Sequence, residues 1–400
     1  MKTVGVIGQG YVGLALAEAV ASAGHKVIGF DSNTKLIANL KQGLSHIEDV
    51  SVVKLKELIT SKQYTPTSDS EDLGNCEIII IAVPTPLDQN RSPDLKHLKS
   101  AVDTISNVIK KEILIINEST SYPGTLRVEI AEKIYIKTRI NHRYASAPER
   151  IDPGNTKWNI KNTIRIVAGL DSNTTQEVKE FYLTFTESVK TVSSPEVAEM
   201  SKLVENSFRQ VNIAFVNELA QISHSFGINI GEVLSAAETK PYGFMRFNPG
   251  AGVGGHCIPV DPTYLSYKSK QQGIEATFIE RANKVNLLMP EYIVSRVLSD
   301  HKNNIAGKSV LVVGVAYKAN VSDVRETPAT AVIHGLKNAN ANVNWHDALV
   351  THFENQNSQE MSDQDIAVIL TLHDQLDLDK LRKIPYVFDC TGKLDWATKL

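Results

Sequence analysis

The sequence predicts an α/β chain in which two doubly wound domains are joined by a central helical domain built on one long helix. Three observations predict this class. Short β-rich runs alternate with helix-length segments over the first half. Apolar residues then recur at helical spacing for nearly eight turns. A second strand entering a glycine turn begins at Ser309. Four hundred residues suffice for two or three domains at roughly 150 each, and the divisions expected are 1–193, 194–300 and 301–400.

In the first part the strands expected are 4–7, 26–30, 78–82, 113–116, 144–147 and 163–167, separated by helices such as 11–23 and 94–109. The central part opens at Pro195, a favourable first helical residue behind the candidate cap Ser194. Val197, Met200, Val204, Phe208, Val211, Phe215, Leu219, Ile222 and Phe226 follow at steps of three and four, one stripe of a helix. Such a helix is roughly 45 Å long at 1.5 Å per residue. That exceeds what one small domain needs for its own core, so it reads either as a hub between domains or as a homodimer interface. The third part offers strands at 309–314, 343–345, 366–370 and 386–388, with a helix at 328–339.

Composition narrows the function. Lys and Arg total 42 and Asp and Glu 45, a net charge of −3, which argues against a nucleic-acid binder. The longest apolar run, 78–83, is far short of the ~20 residues that span a bilayer, and the N-terminus enters a strand with no secretory apolar segment. A cytoplasmic protein without membrane or nucleic-acid partners is expected. Three cysteines, Cys76, Cys257 and Cys390, show no paired metal-type spacing, so neither a metal site nor a disulfide framework is expected.

Gly8-Gln9-Gly10-Tyr11-Val12-Gly13 follows a strand and opens a helix. Gly8 allows the tight turn, Gly10 lets a pyrophosphate reach the backbone, and Gly13 lets helix and strand pack closely. The N–H groups of Tyr11, Val12 and Gly13 then face the phosphates. Asp31 ends the next strand, where a carboxylate accepts ribose hydroxyls and repels a 2′-phosphate, so the cofactor expected is NAD rather than NADP. Pro84 and Thr85 in Val83-Pro84-Thr85-Pro86, and Thr120 in Glu118-Ser119-Thr120, follow strands at the same sheet edge, as turn chemistry or as nicotinamide and substrate contacts.

The glycine-rich segment Asn248–Asp261 delivers a lone Cys257 beside His256 and four residues before Asp261. Cys76 and Cys390 lie next to strands and read as small core residues; Cys257 reads as a nucleophile or as a third such residue. Lys202 and Asn206 share a helix face and point away from the apolar stripe. They are either solvated, with Lys202 pairing Glu199 or Glu205, or hydrogen-bond donors to an oxyanion.

Gly8–Leu14, Val83–Asp88, Glu118–Thr125, Pro148-Glu149-Arg150, Asp152–Asn155, Ser194–Leu219, Lys240–Leu265 and Gly314–Pro328 together resemble the UDP-sugar 6-dehydrogenases of the UDP-glucose/UDP-mannose dehydrogenase family. Lys240–Met245 resembles the branch acting on UDP-N-acetylglucosamine or UDP-N-acetylgalactosamine more than the N-acetylmannosamine branch. The resemblance implies an NAD-dependent four-electron oxidation of a C6 hydroxyl to the uronate through a Cys257 thiohemiacetal and thioester. It implies that Lys202 and Asn206 stabilise oxyanions, that Thr120 and Glu149 position water, and that Asp261 orients Lys202 or assists hydrolysis, with Glu149 ahead of Asp261 as hydrolytic base. It also implies substrate contacts from Glu149, Arg150, Phe247, Gly250, Gly254, Gly255, His256 and Lys318, and a cofactor contact from Arg325.

Gln9, Ala15, Ala147, Ala251 and Arg246 depart from the family pattern. Arg246 stands where an uncharged residue is common, an added cation that could meet a phosphate or a modified substrate. The competing readings are a β-hydroxyacid dehydrogenase, which needs neither the cysteine nor a third domain, and a catalytically silent nucleotide-sugar or NAD sensor, which would not need the catalytic groups this chain retains.

Overall fold

The computed structural model describes residues 1–400 except Glu48, Pro153, Thr156 and His256. Chain contacts divide it into two compact units, Met1–Glu205 with Tyr267–Gln272, and Asn206–Ser266 with Gly273–Leu400.

The first unit is built on an eight-stranded sheet: β1 (Thr3–Ile7), β2 (Lys26–Phe30), β3 (Tyr64–Thr67), β4 (Ile78–Ile81), β5 (Leu114–Asn117), β6 (Arg143–Ser146), β7 (Arg165–Gly169) and β8 (Val189–Thr191). The strand order is β3-β2-β1-β4-β5-β6-β7-β8. Every pairing is parallel except β6 with β7. Four consecutive isoleucines make β4, all buried, as expected for a central strand covered on both faces. The order reverses between β1 and β4, which opens a crevice at the carboxyl ends of the strands where open α/β sheets bind ligands. The edge strand β3 and the short β8 were not expected; Pro66 obscures β3, and an edge is where a sheet tolerates proline.

The long helix runs Pro195–Ser225, but its apolar stripe is on the outside. Val197, Met200, Val204, Phe208, Phe215 and Ile222 are exposed, while Ala198, Glu199, Lys202, Leu203, Asn206, Ser207, Gln210, Asn217 and Ala220 are buried. The inward face is largely polar, which burial permits where the groups are hydrogen-bonded. Within the second unit, Gln210 Nε2 donates to Asn283 Oδ1 (2.5 Å), Asn217 Nδ2 to Asn286 Oδ1 (3.0 Å), and Asn286 Nδ2 to the Gln210 carbonyl (3.2 Å).

The second unit holds a five-stranded parallel sheet of β9 (Ser309–Val313), β10 (Asn342–His346), β13 (Ile366–Ile369), β14 (Tyr386–Asp389) and β15 (Thr398–Lys399), in the order β10-β9-β13-β14-β15. A small hairpin, β11 (His352–Phe353) with β12 (Gln356–Asn357), interrupts it. One face packs against the helices Thr277–Asp300 and Ala329–Asn338, and Trp345 and Phe388 fill that core. The opening turns of the two sheets match: Gly8 N donates to Phe30 O and Gly314 N to His346 O, both at 2.8 Å and both at positive φ. The acid after each second strand then accepts from the turn, Asp31 from Gln9 N and Asp347 from Val315 N, again at 2.8 Å. Asp347 is fully spent on Ala316, Leu349 and Val350 N–H groups and on His373, whereas Asp31 stays partly exposed. No helix among the described residues is long and apolar enough to cross a membrane.

Candidate active site

The turn after β1 has the shape a dinucleotide needs. A Cβ on Gly8 would lie 2.4 Å from the Ala82 carbonyl oxygen and one on Gly13 would lie 1.8 Å from the Gly8 carbonyl oxygen, so both positions are closed to side chains. A Cβ on Gly10 would meet nothing within 4 Å. That space lies at the start of the helix Tyr11–Ser22, which has no side-chain cap and no acid in its first turn, leaving N–H groups for an anion. Asp31 is held by N–H bonds from Gln9 and Asn33, each 2.8 Å. Gln9, a departure from the family pattern, points inward: its Nε2 donates to the Val6 and Gly8 carbonyls and its Oε1 accepts from Tyr64 (2.7 Å). The residues present therefore fit a dinucleotide. The Gln9–Tyr64 pair was not legible in the sequence, because 55 residues separate the partners.

At the same edge, Ser119 ties two loops together by accepting from Val83 N (2.9 Å). Thr85 is buried, Pro84 exposed and Thr120 half-buried. Glu199 on the long helix accepts from Gly124 N (2.7 Å) and Leu126 N (2.8 Å), fixing the segment after Thr120. Burial pushes its carboxyl up to about 8 despite those bonds. Lys202, one turn further on, is also buried, and within this unit its ammonium makes no hydrogen bond or ion pair with a described residue. Neither acid that could have paired it does so: Glu205 is taken by Arg150 (2.7 Å), and Glu199 by the backbone. Arg150 also donates to the Ile164 carbonyl (2.6 Å).

Glu149 follows β6. Its Oε1 accepts from Arg150 N and Ile151 N (2.5 Å each), and its Oε2 lies 2.6 Å from Arg165 Nη1. Arg165 is 2% exposed and also pairs with Glu118 (3.1 Å), which accepts from Tyr182. Arg165 and Tyr182 escaped sequence reasoning, since a strand arginine and a helix tyrosine carry no local signal of a partner 47 or 64 residues away.

In the second unit, Asp261 N donates to the Cys257 carbonyl (2.9 Å), so Cys257 stands at the head of the helix Asp261–Gln271. Cys257 is exposed and Cys76 and Cys390 are buried; burial pushes the Cys76 thiol up to about 12 and Cys390 well above its ordinary value. Asn206 Nδ2 donates to Asp261 Oδ2 (2.5 Å), and Asp261 is 1% exposed. The glycine loop before Cys257 needs its glycines. Gly255, at φ 80°, would drive a Cβ to 2.8 Å from the Tyr317 ring, and Gly254 to 2.7 Å from Tyr317 Cβ. Gly255 N donates to the Arg325 carbonyl (2.8 Å), so the loop lies against the segment that carries Lys318 and Arg325. Gly252 sits where a Cβ would be 2.7 Å from the Asn286 carbonyl, an oxygen whose helical donor is missing because Pro290 has no N–H.

Gly250 N donates to Asn217 Oδ1 (2.9 Å), and Phe247 packs edge-on against Phe208. Arg246 donates to Asn248, Ser235 and Glu238 (2.9–3.1 Å). Arg325 grips Asp323 through Nε and Nη2, and Lys318 is half-buried. His256 lies outside the described residues, as does Pro153 of the Asp152–Asn155 motif. No cluster of three metal-ligating side chains is found among the described residues.

Residues 2–186, 196–287 and 311–395 match the NAD binding, central and UDP binding domains of the UDP-glucose/GDP-mannose dehydrogenase family. The chain is 37% identical over 354 residues to Protein CapL of Staphylococcus aureus, covering 86% of this chain and 82% of that protein. It is 36% identical over 357 residues to the UDP-N-acetyl-D-glucosamine 6-dehydrogenase of Pseudomonas aeruginosa, covering 87% and 83%. A solved structure of UDP-D-ManNAc dehydrogenase from Pyrococcus horikoshii superposes with a TM-score of 0.90 at 29% identity, covering 98% of this chain and 96% of that one. With all three domains matched in order, the chain belongs to the UDP-glucose/GDP-mannose dehydrogenase family and is an NAD-dependent dehydrogenase.

Proposed function

We propose that the chain oxidises the C6 hydroxyl of a UDP-N-acetylhexosamine, UDP-N-acetylglucosamine in first place, to the uronate. The observation that carries this reading is the placement of Cys257, the exposed thiol of three, at the head of a helix whose amide N–H groups favour negative charge on sulfur. A β-hydroxyacid dehydrogenase would have no use for that thiol.

NAD supplies the hydride acceptor for each of two successive oxidations. The N–H groups of Tyr11, Val12 and Gly13 would hold its pyrophosphate and Asp31 would hold its ribose. In the first oxidation the C6 hydroxyl loses a hydride and a proton, leaving an aldehyde. Cys257 Sγ adds to the carbonyl carbon, and the oxygen becomes a thiohemiacetal oxyanion stabilised by the Lys202 ammonium and by the Asn206 Nδ2 proton not given to Asp261. The adduct can expel a second hydride, which an unhydrated aldehyde cannot, and becomes a thioester. Water held by Thr120 and Glu149 attacks it, the carboxylate leaves and the thiol is restored. Glu149 ranks ahead of Asp261 as hydrolytic base, and the carboxylate of Asp261 orients Asn206.

The three-part division at 193 and 300 belongs to this reading: cofactor, central and UDP-sugar portions, the last supplying Lys318. Arg150, Phe247, Gly250, Gly254, Gly255 and His256 complete the substrate contacts. Arg246, committed to Glu238 and Ser235, acts by holding its loop in place, and Arg325 serves the cofactor. The exposed apolar face of the long helix supports a homodimer built on it.

Relatives named for glucosamine and mannosamine substrates both lie close, so the sugar is tested directly. UDP-glucose, UDP-N-acetylglucosamine and its galacto and manno epimers are each incubated with NAD, and NADH is counted per sugar consumed. The expected result is two NADH per sugar, fastest with UDP-N-acetylglucosamine. Turnover confined to UDP-glucose would overturn the hexosamine assignment.

A further inference from the structure

Beneath Glu149 lies a group of side chains that the mechanism does not use. Glu118 at the end of β5, Glu149 after β6, Arg165 on β7 and Tyr182 on the helix Ser172–Tyr182 converge in full burial. Arg165 Nη1 is 2.6 Å from Glu149 Oε2, and Nη2 is 3.1 Å from Glu118 Oε2. The guanidinium also lies over the Tyr182 ring, 5.3 Å from its centroid. Two carboxylates thus face one cation, and with both ionised a negative charge would be left uncompensated in a buried group.

The geometry says where a proton would reside. Glu149 Oε1 is already occupied by two short backbone N–H bonds, from Arg150 and Ile151. Glu118 has no backbone donor to its carboxylate among the described residues; it receives the Tyr182 hydroxyl and the longer guanidinium contacts. Glu149 Oε2, although buried beside Arg165, accepts no aligned hydrogen bond, and Glu118 lies within side-chain hydrogen-bonding reach of Glu149. We propose that Glu118 and Glu149 share one proton, held on Glu118 and donated to Glu149, and that Arg165 and Glu118 are the positioning residues that fix Glu149 as an anion in one orientation. Burial, and then the neighbouring Glu149 charge, raise Glu118 above the usual carboxylate range in the same sense, while Arg165 opposes them. Among the described residues, the titratable groups that act most on Glu118 are Arg165, Glu149 and Tyr182. The next ion pair along the chain, Arg150 with Glu205, is closed on itself.

The consequence for function rests on Glu149 as the water-positioning group. Infrared difference spectra of the full chain between pH 5 and 10 test the proton itself, without substrate. Wild type minus Glu118→Gln should show one protonated carboxyl band that is lost on the alkaline side, the contribution of Glu199 cancelling. In Glu149→Gln that band should titrate at lower pH, since a neighbouring negative charge is gone. A band unchanged in Glu118→Gln, or a titration that Glu149→Gln does not move, overturns the proposal. In turnover, Glu118→Ala should lower kcat about tenfold at unchanged KM for NAD, with Glu118→Gln restoring most of it; equal losses in both variants would also overturn it. If no UDP-sugar is oxidised, the functional reading fails while the spectra still locate the proton.

Discussion

Gly10 and Gly13 sit three residues apart in one turn and should fail in different ways. Gly10→Ala adds a methyl where nothing lies within 4 Å, so its Tm should stay within a degree or two while NAD binding weakens at least tenfold, because the methyl occupies the space of the pyrophosphate. Gly13→Ala puts a Cβ 1.8 Å from a backbone oxygen and should cost about 2–4 kcal/mol of stability, the range of severe steric substitutions. Thermal melts with and without NAD separate the two. Lys202 offers a third contrast. Its buried ammonium is uncommitted within its unit, so Lys202→Met should lower kcat by about 10²–10³, the loss typical of one oxyanion donor, with a smaller change in KM. The glycine turn was legible from pattern and spacing. The settings of Lys202 and Glu149 were not: which acids leave Lys202 alone, and which arginine holds Glu149, are decided by residues brought together from distant strands.

The long helix shows most plainly what periodicity can deliver. Spacing fixed its extent to within a residue or two and grouped the correct residues on each face, but it could not say which face turns inward. The inward face is the polar one, because Gln210, Asn217 and Glu199 find partners in Asn283, Asn286 and the Gly124–Leu126 backbone. Glu199 gives this element a pH dependence. Its carboxyl stands at about 8 in the folded chain against an ordinary 4.5, so between those values the native state keeps a proton that the unfolded state has released. Stability from this group is therefore fully present below about 4.5, falls as pH rises and is lost above about 8. Denaturant unfolding at pH 5 and pH 8 should show a smaller fall in Glu199→Gln than in wild type. An equal fall in both would mean that the acid titrates normally.

For the molecule as a whole, the sequence revealed both sheets, though not the antiparallel pairing of β6 with β7, their helices and the cofactor turn, since buried strands and glycine turns have strong local signatures. It missed β3, β8, β15 and the hairpin β11–β12, which are short or at edges and take their shape from neighbours rather than from their own residues. The exposed row Val204, Phe208, Phe215 and Ile222 is more apolar surface than scattered side chains explain. Phe215→Asp should convert a dimer to a monomer in sedimentation, whereas an unchanged sedimentation coefficient would place the subunit contact elsewhere. The four-electron chemistry depends on covalent capture by Cys257. The most direct measurement is the yield of NADH and uronate from UDP-N-acetylglucosamine in wild type and Cys257→Ala. Wild type should give two NADH per uronate and the variant no uronate; full four-electron turnover by Cys257→Ala would rule out the covalent route.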